Sequence, residues 1–267
     1  MHDMTADEEN NLETSVARSM DAPPVLFRYL PYLLQDIHEL GVRTSDILQL
    51  FDELDIGPDQ TVLDVGCGKS PALPLLAQRY GCRGRGIDAV PAFIAEAEKH
   101  ADAQGMSEQV TFEVGDIEEL TTASPESDVV MYFAMGELLG PLHVTLKRLA
   151  SLVGETGVIC FDEAYVSDAA VEQSEDELEP FSRTSVVEEI EAAGFTVVAE
   201  HVVNTTDEHH WYRESTARVL ERAKELAANA DFEVAKEIMS FANRQVEDAD
   251  LLDGGMCSAL WAVRKSQ

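Results

Sequence analysis

Apolar positions along this chain switch repeatedly between short runs of strand character and longer stretches of helical period. The clearest run is Thr61 to Val65, TVLDV, which reads as a buried strand closed by a turn at Gly66, Cys67 and Gly68. Ser70 then suits an N-cap and Pro71 a first helical position, so a helix is predicted from Ser70 to Tyr80, stopped by Gly81. A short strand ends in Gly86, Ile87 and Asp88, and a helix follows with Pro91 early in it. Further strands are predicted at Gln109 to Asp116, Ser127 to Met135, Gly157 to Ala164, Phe195 to Val203 and Met256 to Arg264, with helices at Leu138 to Val153 and Thr184 to Ala193. Strands alternating with helices predict an α/β fold around a largely parallel sheet.

Three segments fall outside that alternation. Residues 1–20 are polar and acidic and read as a loose arm. Residues 21–56 carry two helical patterns, VLFRYLPYLLQDIHEL and TSDILQLFDEL, separated by Gly41 and capped by Thr44 or Ser45. Pro31 either kinks the first or marks its true start. Residues 205–254 read as a helical pair before the last strand, inserted into a core of residues 57–204 and 255–267. Tyr165 to Phe181 is an acidic loop carrying Glu172, Glu175, Asp176, Glu177 and Glu179, best read as solvated.

Charge changes the picture more than length does. The 267 residues hold 51 acidic against 19 basic side chains, a formal charge of −32. Such a surface repels itself at low salt and is screened at molar salt, which points to the cytoplasm of a high-salt cell such as that of a halophilic archaeon. The same balance, with no basic cluster, argues against a nucleic-acid partner. Cys67, Cys82, Cys160 and Cys257 are scattered without metal-ligand spacing, so they read as reduced thiols and no metal site is expected. No apolar run is long enough to cross a membrane, and the N-terminal residues do not resemble a signal peptide.

The candidate chemistry lies at three strand ends. Asp64 closes the first strand before the glycine turn, Asp88 tips the second, and Asp116 ends the third beside Ile117. A dinucleotide fingerprint requires a third glycine where Pro71 stands, and Asp64 would repel a pyrophosphate. Asp-x-Gly-x-Gly closing a first strand resembles motif I of the class I S-adenosylmethionine-dependent methyltransferases, carried here by Asp64, Gly66 and Gly68; Ser70 departs from the glycine often found there. The resemblance implies a Rossmann-like, seven-stranded sheet of order 3-2-1-4-5-7-6 with the last strand antiparallel, and it implies that the helical pair of residues 205–254 lies near the sheet's binding edge and acts with the N-terminal helices as a lid. It also implies a cofactor set of Asp64, Gly66, Cys67, Gly68, Asp88, Ala89, Asp116, Ile117 and Phe133. In that set Asp88 takes the ribose hydroxyls, or alternatively caps the following helix, and Asp116 with Ile117 takes the adenine edge. Phe133 to Glu137 corresponds to the segment beside the reactive methyl.

Because the donor methyl is already activated, a catalytic base is optional and the sequence does not identify one. The candidates are Glu137, His209 and His210, with Asp162 and Glu163 at the end of the fifth strand. Tyr29, Tyr32, Trp211 and Tyr212 either line an acceptor pocket or belong to the core. The reading favours a small-molecule methyl acceptor. Its alternatives are a non-catalytic cofactor-binding protein and an NAD-dependent oxidoreductase.

Overall fold

Among the described residues nine strands arise from the apolar runs: β1 (Thr61–Val65), β2 (Arg83–Asp88), β3 (Val110–Val114), β4 (Ser127–Tyr132), β5 (Val153–Asp162), β6 (Tyr165–Val166), β7 (Phe195–Val202), β8 (Met256–Cys257) and β9 (Ala259–Lys265). The structure is a computed structural model, and it describes residues 13–17, 19–20, 22–120, 127–166, 182–203, 205–251 and 256–266. Most of the N-terminal arm and the acidic loop beyond Val166 lie outside those residues. Seven strands make one sheet in the order β3-β2-β1-β4-β5-β9-β7. The first five are parallel and β9 runs antiparallel to both neighbours. With β9 as the seventh sheet strand and β7 as the sixth, this is the order the resemblance implied.

Side-chain alternation divides the core between the two faces of the sheet. On β4, Val129 and Met131 join a cluster with Leu73, Leu76, Leu50 and Phe51. Val130 and Tyr132 join the opposite cluster with Leu63, Leu146, Phe161 and Trp261. Trp261 is fully buried on β9, between β5 and the edge strand β7, and its ring N–H donates to the Glu163 carbonyl at 3.0 Å.

Several boundaries differ from the sequence reading. The helix after the glycine turn starts at Ala72 with Pro71 as its N-cap, because the Ser70 hydroxyl is used elsewhere, on buried Asp64. The predicted helix from Leu138 to Val153 is confined to Leu142–Leu149: Gly140 adopts φ +106°, Pro141 is the N-cap, and Val153 already belongs to β5. β4 ends at Tyr132, three residues early, since Ala134 turns into the left-handed region at φ +56°. The last predicted strand splits, Met256–Cys257 pairing with Tyr165–Val166 and only Ala259–Lys265 entering the sheet.

The described residues fall into two compact units, one within 39–203 and 255–267 and the other within 1–38 and 204–254. The helix Thr44–Asp52, grouped by sequence with the preceding helices, packs on β7 and β9 of the sheet unit. It is tied there by Asp46, which accepts from Arg43 and lies 3.1 Å from the His201 ring nitrogen. In the other unit a two-turn 3-10 helix Pro24–Tyr29 leads into Leu30–Leu33, where Pro31 lies in the first turn and marks the start. These pack with the helices Thr205–Ala227 and Phe232–Leu251 around Leu26, Leu30, Ile238 and Phe241. Arg222 bridges Asp36 at 2.6 Å and Glu225 at 2.8 Å, and the Tyr32 hydroxyl donates to Glu225. No helix among the described residues is long and apolar enough to cross a membrane.

Candidate functional site

The glycine turn wraps around the end of β2. The main-chain N–H groups of Gly66 and Cys67 both donate to the Ile87 carbonyl, at 2.8 and 2.9 Å, and that of Ser70 donates to the Cys67 carbonyl. Gly68 N–H donates to Asp88 Oδ2 at 2.9 Å. Gly66 and Gly68 hold φ of +75° and +53°, a region costly for residues with a Cβ. A Cβ on Gly66 would stand 2.3 Å from the Met135 sulfur, so the side chain of the segment after β4 packs directly on the turn at this glycine.

Those bonds decide what the turn can bind. A phosphate cradle offers free N–H groups, whereas those of Gly66, Cys67, Gly68 and Ser70 are already engaged. The acidic side chains beside the turn are Asp64 and Asp88. Asp64 is 7% exposed and accepts the Ser70 hydroxyl at 3.0 Å. Burial pushes its carboxyl up to about 7, the Ser70 bond opposing and Asp88 adding to the rise. Burial likewise raises Asp88 to about 6, against the pull of its bonds from Val90 and Gly68 N–H. A cation in this cleft would restore both carboxylates, while an anion would meet them uncompensated. Burial also raises the Cys67 thiol, with Asp64 and Asp88 adding to it, so Cys67 stays protonated beside the turn.

The three predicted strand-end acids are brought side by side. Asp64 opposes Gly86 in register and Asp88 opposes Val114, while Gly115 N–H reaches back to the Asp88 carbonyl at 3.0 Å. Asp88 takes Val90 N–H at 2.8 Å on Oδ1, while the N-cap of the following helix is Val90 itself, without a side-chain cap; each Asp88 oxygen keeps one further acceptor position. Asp116 takes Glu118 N–H at 2.8 Å, and Ile117 is buried beside it. Ala89 sits between Asp88 and the Pro91–Ala103 helix, and buried Phe133 lines the cleft with Asp64, Gly66 and Gly68.

Of the candidate bases, Glu137 lies exposed in the turn after β4. Asp162, exposed at the end of β5, accepts Ala134 N–H at 2.7 Å and so fixes the same segment. Glu163 is half-buried, and burial with the neighbouring Asp162, Glu189 and Glu137 raises it to about 7. His209 and His210 lie within the helix Thr205–Ala227 of the other unit, not at its opening, and His210 is exposed 3.6 Å from Glu214. Trp211 and Tyr212 pack edge-to-face on that helix. Among the described residues no cluster of His, Cys, Asp and Glu could hold a metal ion.

Sequence reasoning missed two features of the turn. Lys69 is buried within it, paired with Glu96 at 2.9 Å and capped at its carbonyl by the His100 ring at 3.0 Å, so the loop is latched to the helix after β2. A lysine between a glycine turn and a helix start was the available signal. Glu39, Leu40, Val42 and Thr44 also line the cleft, although Thr44 had been read only as a possible cap. The N-cap is Arg43, whose guanidinium is locked on Asp46 at 2.6 and 3.1 Å, and Thr44 N–H is taken by Glu39 at 2.7 Å.

A family model described as a methyltransferase domain matches residues 56–216, more than half of the chain. The chain belongs to the methyltransferase-domain family. Within that family it is 27% identical over 197 residues to the uncharacterized protein YjhP of Escherichia coli, covering 71% of this chain and 78% of that one. A ubiquinone biosynthesis O-methyltransferase of Azorhizobium caulinodans is 33% identical over 98 residues, which is 37% of this chain and only 38% of the relative. A solved SAM-dependent methyltransferase from Thiobacillus denitrificans, in complex with S-adenosyl-L-homocysteine, superposes with a TM-score of 0.70 at 19% identity, covering 89% of this methyltransferase-domain chain and 98% of that one. At that identity the likeness speaks to the fold.

Proposed function

We propose that this protein is an S-adenosylmethionine-dependent methyltransferase acting on a small-molecule acceptor. The observation that carries the reading is the row of carboxylates Asp64, Asp88 and Asp116 around a glycine turn whose N–H groups are internally engaged. That arrangement suits a ligand with a cation and vicinal hydroxyls and disfavours the pyrophosphate of a nicotinamide dinucleotide.

In this reading Asp64 is the counter-charge for the cationic amino-acid end, and Gly66, Cys67 and Gly68 let the ligand approach the main chain. The free acceptor positions of Asp88 take the ribose hydroxyls, beside Ala89, while Asp116 and the Ile117 N–H meet the adenine edge. When bound, the cofactor supplies a methyl group already activated by its sulfonium. Phe133 and the segment fixed by the Asp162–Ala134 bond shape the wall beside it and exclude water. If the acceptor must lose a proton, Glu163 is the carboxylate best tuned to take it near neutrality, with Glu137 as its neighbour.

A small acceptor fits a chain with a formal charge of −32, which gives phosphate backbones nothing to bind. It also accords with relatives named as O- and N-methyltransferases of ubiquinone biosynthesis and of norajmaline. The charge further supports work in the cytoplasm of a high-salt cell.

Calorimetric titration with S-adenosylmethionine and S-adenosylhomocysteine in about 2 M KCl, where surface charge is screened, is the test. Both should bind, and Asp88→Ala should weaken each by about 1.5 to 3 kcal/mol, roughly 10- to 150-fold. An unchanged dissociation constant would remove the ribose assignment, and no binding of either ligand would end the methyltransferase reading. Binding with no methyl transfer across a labelled-donor acceptor screen would leave a cofactor-binding protein without catalysis.

A further inference from the structure

Glu39, Leu40, Val42 and Thr44 wall the cleft, yet residues 39–43 form neither helix nor strand, so their position depends on how their ends are held. They rest on the site at two points. A Cβ on Gly68 would lie 3.0 Å from Leu40 Cδ1, and one on Gly41, at φ +94°, only 2.1 Å from the Ala134 Cβ. Downstream they run into the helix Thr44–Asp52, whose Ile47, Leu50 and Phe51 sink into the cluster with Ala199, Val203 and Leu260 and so fix the body of the helix. Its first turn is held differently. The N-cap Arg43 makes no side-chain cap bond, and polar contacts from outside the helix backbone take over.

Those contacts run in a line from the cleft wall to the edge of the sheet. Glu39 Oε1 takes Thr44 N–H at 2.7 Å, which closes residues 39–44 on themselves. Arg43 donates twice to Asp46, Nε to Oδ2 at 2.6 Å and a terminal nitrogen to Oδ1 at 3.1 Å. Asp46 Oδ1 also lies 3.1 Å from His201 Nε2, across 155 positions of sequence. A carboxylate only accepts, so Nε2 carries the hydrogen. Strand alternation puts His201 on the same face as Ala199 and Val203, the face this helix covers, and little of either side chain meets water: Asp46 is 3% and His201 14% exposed. On the opposite face Glu200 is engaged by Arg183, so it does not compete for the ring. Arg43 already supplies the counter-charge for Asp46. What His201 adds is a bond from a strand that is itself fixed, paired with β9 along its length and opposite Leu260 at this position.

We infer that His201 is a positioning residue for the cofactor cleft: through Asp46 and Arg43 it sets where residues 39–44 lie against the glycine turn and the segment after β4. The inference deepens the methyltransferase reading and rests on it. His201 itself touches neither cofactor nor acceptor. With the tie made, the wall is ordered before the ligand arrives; with the tie cut, the free energy of ordering it is subtracted from the affinity.

The test is calorimetric titration of S-adenosylhomocysteine in about 2 M KCl. His201→Leu should weaken binding about tenfold, while His201→Gln, whose amide nitrogen reaches the place of Nε2, should stay within about twofold of wild type. Arg43→Gln cuts the same tie from the helix side without touching the sheet; it should weaken binding by a similar factor, and it carries the test should His201→Leu not fold. In a Gly41→Ala background, where residues 39–44 are already displaced, His201→Leu should add no more than about a further twofold loss. The same loss in both backgrounds would mean that His201 serves the fold of the sheet unit alone. Equal losses for His201→Leu and His201→Gln would mean that the hydrogen bond is not what matters, and no loss for His201→Leu or Arg43→Gln would mean that the wall is held without the tie. Each of these overturns the inference and leaves the cofactor reading intact. Failure of the wild-type protein to bind S-adenosylhomocysteine would overturn both.

Discussion

At the scale of single residues, the site is a place where burial works against charge. Asp64 and Asp88 have folded-state values near 7 and 6, both above the usual 3.8, and burial is the largest cause in each case. A raised carboxyl means that the folded protein without ligand holds protons the unfolded chain releases. The contribution of these two groups to stability is therefore greatest below about pH 4 and declines as pH rises through about 6 to 7. A ligand carrying an ammonium reverses the preference, since it binds the ionised carboxylates and must displace those protons. The affinity for S-adenosylhomocysteine is expected to tighten from pH 5 to about 7, by up to about tenfold per unit for each proton released, and to level off above. Calorimetry in buffers of different ionisation heat should detect the released proton. An affinity flat across that range, or one unaffected by Asp64→Asn, would show that Asp64 is not the counter-charge.

At the scale of elements, the strands and their acidic ends were legible because short apolar runs and glycine turns are local signals, as in TVLDVGCG. What was not legible depended on partners distant in sequence. Ser70 looked like a cap, but buried Asp64 needs a donor and takes its hydroxyl at 3.0 Å. Thr44 looked like a cap, but the bidentate Arg43–Asp46 pair starts that helix instead. The pairing of Tyr165–Val166 with Met256–Cys257 joins two-residue strands some ninety positions apart, too short to leave a period. Gly41 was read as a helix stop, although its larger role is the close approach to Ala134. Substituting Gly41→Ala should cost about 1 to 3 kcal/mol, from the left-handed φ and the 2.1 Å clash with the Ala134 Cβ together, and should weaken S-adenosylhomocysteine as residues 39–44 lift off the turn. Urea unfolding and a binding titration on the same preparation would measure both. A variant as stable and as tight-binding as the parent would mean that residues 39–44 are not seated on the turn.

At the scale of the molecule, charge dominates. Even if each of the 19 Lys and Arg side chains engaged one acid, 51 − 19 = 32 carboxylates would have no basic counterpart. Several ion pairs are in fact on the surface, such as Arg79–Asp52 and Arg183–Glu200, where one pair contributes at most about 1 kcal/mol. The unpaired acids repel over a distance set by salt, about 10 Å at 0.1 M and about 3 Å at 1 M. Compaction brings these charges closer than the unfolded chain does, so the repulsion falls mainly on the folded state. Raising KCl from about 0.1 to 3 M should relieve several kcal/mol and lift the melting temperature by on the order of 10 °C. Most of that gain should come below about 1 M, where the screening length changes most, and a neutral osmolyte at equal osmolarity should not reproduce it. A melting temperature flat in KCl, or one that sucrose raises as much, would mean that the acidic surface is tolerated and not balanced by salt.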